Sequence, residues 1–363
     1  MNSPKGQSLL SLALQKFKTR FWGVFSLGYI VFCALIALLA YVISPDRSVN
    51  ANQMNLSIHS KPPGFKTLVI EVPNQTEDKG SWTDWFTGKE QVNDIIPIQS
   101  YDVRGKKIEL KPYDSTAPHT SVALDLYENT STLEEDYIYT KIFWLGTDRY
   151  GRDMLSRLLI GTRISLSIGF VAVFISLFIG IFIGAIGGYF GGIIDQAVMW
   201  LINVAWSIPT LLLVIALTLA LGKGFWQVFI AVGLTMWVEV ARVVRGQVKS
   251  VKKLPYITAA NALGYSDFRI ISKHILPNIM APVIVISAAN FAAAILIESG
   301  LSFLGIGAQP PIPTWGNMIK EHYNYIVLGQ PHLALIPGLA IMSLVMAFML
   351  VGNTLRDAFD VKG

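Results

Sequence analysis

Charge is scarce in this chain. Only 15% of its 363 residues are Asp, Glu, Lys or Arg, 52% are hydrophobic, and the mean hydropathy is +0.49. A fully water-facing surface cannot be built from so few charges, which excludes an ordinary soluble domain and implies an integral membrane protein. Cysteine is nearly absent. Cys33 stands by itself inside an apolar run, so neither an intrachain disulfide nor a cysteine metal cluster is possible. Catalytic signatures are missing as well. There is no His-Glu-x-x-His, Gly300-Leu-Ser302 runs into Phe303 and not into a nucleophile elbow, and Gly222-Lys-Gly224 lacks the rest of a P-loop. None of His59, His119, His274, His322 and His332 has a second ligand at metal spacing along the chain. We therefore expect no catalytic residue, no metal and no cofactor in this chain. The formal charge of +5 lies in loops beside apolar segments, which serves membrane orientation and gives no reason to expect a nucleic-acid partner.

What is present is a series of apolar runs. Lys5, Lys16, Lys18 and Arg20 precede the first, Phe21 to Ile43, which is too long for the apolar core of a cleaved signal peptide. Five more follow: Ser165 to about Tyr189, Val198 to Leu221, Phe225 to about Val244, Ile279 to about Leu304, and Leu333 to Leu355. Each approaches or exceeds the ~20 residues needed to cross the hydrocarbon core. Six spans put both termini on the same side, and the basic N-terminus makes that side the cytoplasm. Gly180, Gly184, Gly187 and Gly188 lie at small-xxx-small spacing, which permits close helix packing.

Residues 44–141 differ in character, with about ten basic and about fifteen acidic side chains and frequent prolines. Thr67 to Val72 and Ile95 to Val103 read as strands. Arg104-Gly105-Lys106 reads as a turn into a third strand, where Ile108 and Leu110 alternate with charge. Trp82, Trp85 and Phe86 supply apolar surface, either for a small core or for the membrane interface. Following a helix with its N-terminus inside, this insert belongs outside the cell. Residues 142–164 then read as an amphipathic segment lying at the interface. Met154, Leu155, Leu158 and Leu159 form its stripe, and Asp153 and Arg157 pair at i, i+4.

The loop from Arg242 to Lys273, which overlaps a coupling segment of about 245–278, carries seven basic side chains and one acidic, and span parity also assigns it to the cytoplasm. Tyr256, Ala259, Ala260 and Leu263 share one face of a short helix, and Gly264 can end it with φ > 0. Ser266 or Asp267 can cap a second helix with Phe268, Ile271 and Ile275 on one face, stopped by Pro277. Such a pair is either an ordinary connector or a docking element with a small-residue face. Gln309-Pro-Pro-Ile-Pro313 cannot be helical, and Trp315, Tyr323 and Tyr325 suit an interface, so this loop reads as an external re-entrant or gate-side element. Few polar groups fall within the spans. Asn290 and Glu298 are candidates for lining a pathway or for interhelical bonding, whereas Glu239, a turn from Arg242 and Arg245, reads as a structural ion pair.

Four ordered motifs resemble one family. Ala259-Ala-x-x-x-Gly264 with His274-x-Leu-Pro277 is similar to the coupling loop of ATP-binding-cassette importer permeases, although Thr258 stands where the family has glutamate. Leu145-Gly146-Thr147-Asp148 with Gly151-Arg152-Asp153, Ala241 to Gln247, and Leu301 to Met318 resemble the C-type subunits of oligopeptide, dipeptide and nickel importers. The resemblance runs from about Phe143 to Asp360. It implies an all-α polytopic protein of the type I importer permease fold, with six transmembrane helices and a small β-containing insert. Its permease core would be residues 165–363, behind an N-terminus and first span at 1–43. It further implies a bacterial inner-membrane location, a B-type permease partner, two ATPase subunits that hydrolyse ATP, and an extracytoplasmic solute-binding protein. The 44–141 insert is longer than the family usually carries, and we expect it to cap the entrance or help hold the binding protein.

Overall fold

In the computed structural model the described residues are 9–73, 82–90, 93–105, 107–114, 120–127, 137–222 and 224–359. The helices are α1 (Leu9–Lys18), α2 (Phe21–Leu38), α3 (Ala40–Ile43), α4 (Asp84–Thr87), α5 (Met154–Phe190), α6 (Gly192–Ser207), α7 (Thr210–Leu221), α8 (Phe225–Val251), α9 (Pro255–Ala262), α10 (Asp267–Phe303), α11 (Trp315–His322) and α12 (His332–Phe359). Five of them are long and apolar enough to span a membrane. A sixth span exists if α6 and α7 count as one, but they bend by 89°. The apolar run Val198 to Leu221, expected as one span, is thus broken in its middle. Pro209 lacks the N–H that a continuous helix needs, and Ile208 before it is extended at ψ 126°.

The chain divides into two compact units. One comprises Met1–Cys33, Ser165–Gln309 and Ile341–Gly363; the other comprises Ala34–Ile164 and Pro310–Ala340. In the first, Gly180, Gly184 and Gly188 of α5 pack closely on α8, and Gly187 packs on Val198 of α6. A Cβ on Gly180 would lie 2.5 Å from Val240, and one on Gly184 would lie 2.5 Å from the Ala241 carbonyl oxygen. Side chains at these positions would force the helices apart. α1 packs on the end of α12 through Ala13, Phe17 and Ala358, and the Tyr29 and Ser343 hydroxyls meet at 2.7 Å.

The second unit contains a five-stranded antiparallel sheet: β1 (Phe65–Val72), β2 (Asp94–Arg104), β3 (Lys107–Pro112), β4 (Thr120–Ala123) and β5 (Ile138–Phe143), in the order β4-β3-β2-β1-β5. The three expected strands are present. Ile108 and Leu110 are buried at 0% and 1% exposure, as alternation requires, in a core with Ile70, Ile98, Val122 and Ile138. The strands β4 and β5 were not anticipated. β5 pairs with β1 in the register Val69 to Tyr139, so the sheet continues past the expected boundary at residue 141.

Residues 142–164, expected as a separate amphipathic segment, are continuous with the span that follows. From Met154 they form the first turns of the 37-residue helix α5, and Met154, Ser156, Arg157 and Ile160 are all buried. Trp315, expected to suit an interface, is packed inside the protein. It is 2% exposed, its Nε1 donates to the Leu158 carbonyl at 3.1 Å, and its ring fills the space beside Gly161.

Candidate functional site

The loop between α8 and the apolar part of α10 begins where Pro255, at the first turn of α9, starts a new helix after a break at Leu254. α9 ends in a Schellman motif. Tyr265 N–H donates to Ala260 O at 3.2 Å and Gly264 N–H to Asn261 O at 3.0 Å, with Gly264 at φ +73°. Ile257 and Ala260 point inward and join Ile270, Ile275, Val240, Val244 and Val248 in one apolar cluster. Thr258, Ala259, Leu263 and Gly264 are exposed, Tyr256 is 43% exposed and Leu263 73%. The expected stripe is therefore split. Ala260 anchors the helix, while Tyr256, Ala259 and Leu263 face out.

The second half of the loop departs further from expectation. Ser266 occupies the N-cap position without a side-chain cap, and the Asp267 carboxylate instead accepts from the Tyr189 hydroxyl at 2.7 Å. Phe268 is 81% exposed, and the buried pair is Ile270 and Ile275, five residues apart. That spacing fits the π-helical turn formed by Ile270–Ile275, whose wider pitch brings i and i+5 to one face. Pro277 does not stop the helix. It falls in the 3-10 turn Leu276–Ile279, and α10 runs on into Met280–Phe303. The Asn278 side-chain amide donates to the His274 carbonyl at 2.6 Å. The His274 ring stacks on Tyr265, whose ring also lies 4.2 Å from the Arg269 guanidinium carbon.

Two anchors hold the start of this loop and the end of α8 to α5 and α6. Lys252 Nζ donates to the Tyr189 carbonyl oxygen and lies 4.9 Å from the Tyr189 ring. Asp195 receives Arg245 through two bonds, one of them 2.7 Å, and Lys249 at 2.8 Å. Arg245 is thus paired with Asp195 and not with Glu239. Arg242 lies over the Trp206 ring at 3.5 Å, and Glu239 is exposed. Contact between a helix and the end of another distant in sequence left no signal in local spacing.

Within α10, Asn290 and Glu298 are buried at 2% and 0% exposure. Glu298 Oε1 accepts from the Ser302 hydroxyl at 2.7 Å, a bond within one helix and not between two. Asn290 Nδ2 has no hydrogen-bond partner among the described residues.

The motif Gly146, Thr147, Asp148, Gly151, Arg152, Asp153 forms a knot at the head of α5. Thr147 and Asp153 form an antiparallel bridge, and Thr147 exchanges hydrogen bonds with the backbone at Lys61. Gly151 has φ +73°, and a Cβ there would lie 1.8 Å from the Asn55 carbonyl oxygen, so no other residue fits. Asp148 accepts from the Tyr150 and Arg152 backbone N–H groups at 2.8 and 3.0 Å and from Arg152 Nε at 2.6 Å. Glu321, on α11, accepts from Arg152 Nη2 at 2.8 Å, and Asn52 Oδ1 accepts from Nη1 at 3.2 Å. The expected Asp153–Arg157 pair is absent. Asp153 instead caps α5, accepting from Ser156 N–H at 2.9 Å and from its hydroxyl, while Arg157 Nε lies 3.7 Å from Asp148. Burial pushes the Asp153 carboxyl up from its usual range, against those two bonds from Ser156.

Asp148, Glu321 and His322 place their donor atoms within 4.8 Å of one another, a grouping that sequence spacing could not reveal. The cation among them is the Arg152 guanidinium. His322 Nδ1 faces the Met318 carbonyl at 2.6 Å, its Nε2 accepts weakly from Arg149 N–H, and burial holds its pKa below the usual value.

The sequence model of the family described as "binding-protein-dependent transport system inner membrane component" matches residues 164–362. Over 219 residues the chain is 41% identical to the glutathione transport system permease protein GsiD of Pectobacterium atrosepticum, covering 60% of this chain and 72% of that protein. It is 40% identical, with the same coverage, to the dipeptide transport system permease protein DppC of Alkalihalophilus pseudofirmus. Among solved structures, an inward-facing conformation of the MetNI methionine ABC transporter aligns with a TM-score of 0.46 at 19% identity, covering 56% of this chain and 97% of that one.

Proposed function

The chain belongs to the inner-membrane components of binding-protein-dependent transport systems, and from that premise we propose that it is the C-type permease of an importer for peptides or related small solutes. In this reading it supplies half of a translocation path through six spans, with both termini in the cytoplasm. A B-type permease supplies the other half, two ATPase subunits dock from the cytoplasm, and a binding protein delivers solute from outside. The names of the relatives support the solute class: one transports glutathione, itself a small peptide, and another dipeptides.

The observation that carries the coupling role is the build of the loop from Tyr256 to Pro277. Its outer face is apolar and exposed at Tyr256, Ala259, Leu263 and Phe268, while Ile257, Ala260, Ile270 and Ile275 fasten it to α8. A rigid base with an apolar crest suits a partner that must push or pull on the membrane helices, because displacement of the crest is carried into α8 and α10. Thr258 carries no charge, so docking rests on shape and apolar contact.

The test is Gly264→Pro in the full complex reconstituted with partner subunits and binding protein. Proline fixes φ near −65°, which Gly264 at +73° cannot adopt within the Schellman turn. The expected outcome is loss of ATP-driven uptake with membrane insertion intact. Normal uptake by this variant would sink the coupling assignment.

A further inference from the structure

The insert carries an apolar feature that its own core does not use. Trp82 is 79% exposed, Trp85 62% and Phe86 47%, all on or beside the single turn α4. So much exposed aromatic surface on one short segment calls for a covering phase. The segment's position is fixed by the backbone that follows α2. Lys89 N–H donates to the Arg47 carbonyl at 2.9 Å, and Val49 N–H to the Lys89 carbonyl at 3.1 Å. Gly88 packs so closely on α3 that a Cβ there would lie 2.7 Å from the Tyr41 ring. From the other side Arg163, in the early turns of α5, donates to the Phe86 carbonyl and lies 5.5 Å from the Tyr41 ring.

Tyr41 is three residues beyond Leu38, where the apolar helix α2 ends. At ~1.5 Å per residue that is about 5 Å past the end of the span. The headgroup layer on each side of a bilayer is about 5–8 Å deep, the difference between its ~30 Å hydrocarbon core and its ~40–45 Å total thickness. The aromatic turn is therefore tied at headgroup depth, where tryptophan rings are favoured because one edge is apolar and the other polar. Leu38, Leu39 and Ile43, all at least 45% exposed, continue the same apolar surface.

Between the turn and α3 lies a cavity of about 500 Å³ lined by Tyr41, Val42, Arg47, Asp84, Lys89 and the two tryptophans. Among the described residues two cations line it against one carboxylate, and Arg163 adds a third positive charge beside Tyr41. We infer that Trp82, Trp85 and Phe86 insert into the adjoining leaflet and that the Arg47–Lys89 cavity seats the phosphate of an anionic phospholipid headgroup. The insert is then moored to the membrane beside the first span. The inference requires α2 to cross the bilayer and does not depend on the transport reading.

The test uses the full chain with Cys33→Ala and single cysteines introduced as Trp82→Cys, Trp85→Cys or, for reference, Val103→Cys on β2, which is 54% exposed. Each is labelled with bimane and reconstituted in phosphatidylcholine vesicles with or without phosphatidylglycerol. Labels replacing Trp82 and Trp85 should be quenched by nitroxides placed near the lipid headgroup and shielded from aqueous iodide. The Val103 reference should show the reverse. Phosphatidylglycerol should increase the shielding, Arg47→Gln with Lys89→Gln should remove that increase, and inorganic phosphate should not compete. Iodide access equal at all three positions would overturn the inference, as would shielding that appears only on adding a solute-binding protein. Indifference to phosphatidylglycerol, or competition by free phosphate, would overturn the headgroup assignment.

Discussion

Asp148 is fully buried, and its carboxylate is approached by two backbone N–H groups and by the guanidinium groups of Arg152 and Arg157. Glu321 shares the load as a second carboxylate through Arg152, and the Asn52 side chain and the Asn50 carbonyl accept from Arg152 and Arg157. Two arginines removed from water this way are tolerable because the carboxylate is present, so its loss leaves buried positive charge uncompensated. Asp148→Asn should accordingly destabilise the folded protein by about 3–5 kcal/mol, the usual cost of breaking a buried ion pair from one side. Adding Arg157→Met should recover part of that loss, because the charge left behind is removed as well. Thermal unfolding of the purified protein in detergent measures both. If Asp148→Asn melts with the wild type, the carboxylate is not the keystone of the knot. The sequence displays these residues but misassigns their partners. Helical spacing offers Asp153 to Arg157, whereas the turn at Gly151 folds Asp148 back beneath both arginines and frees Asp153 to cap α5.

At the scale of elements, the features that announce themselves locally are the ones legible before the structure. Gly264 ends α9 because a positive φ is needed there, and the alternation at Ile108 and Leu110 fixes the inner face of β3. The π-turn at Ile270–Ile275 was hidden because apolar residues near 3.6 spacing suggest an α-helical face, while the buried pair is spaced for a wider pitch. The bend at Pro209 had a visible cause that the long apolar run concealed. The glycine row on α5 was read correctly, and its energetic weight can be tested. Gly184 sits where a Cβ would lie 2.5 Å from a backbone oxygen of α8, an atom that cannot swing aside as a side chain can. Gly184→Val should therefore cost about 1–3 kcal/mol or more by overpacking, seen as a lower melting temperature and a reduced monodisperse fraction in size-exclusion chromatography. Gly246→Ala, where an added Cβ meets no neighbouring atom, serves as the neutral control on α8. Equal stability of the two variants would mean that α5 and α8 are not held by close contact at this point.

For the whole molecule, the division between insert and core lies elsewhere than the composition shift suggests. The unit that holds the sheet also takes in the Gly146–Asp153 knot, the first turns of α5 and residues 310–340. β1 is paired on one edge with β5, and Gly64 and Gly146 N–H groups both bond to the Phe143 carbonyl at 3.0 Å, so the sheet and the knot share a backbone junction. A deletion from Pro62 to Thr132 would remove β1 itself and leave β5 unpaired, confusing loss of function with loss of structure. Excising residues 73–137 and joining Val72 to Ile138 with a short glycine linker keeps the β1–β5 pair, which ends in the register Ile70 to Ile138, and leaves the knot intact. If the insert helps hold the solute-binding protein, this variant should insert and melt like the parent. Its affinity for the cognate binding protein should fall roughly tenfold or more, equivalent to about 1.4 kcal/mol. The Trp82→Phe, Trp85→Phe variant separates this effect from mooring to lipid, since it disturbs the aromatic turn and spares β2–β4. Unchanged binding and unchanged uptake after the excision would show that the long insert neither caps the entrance nor receives the binding protein.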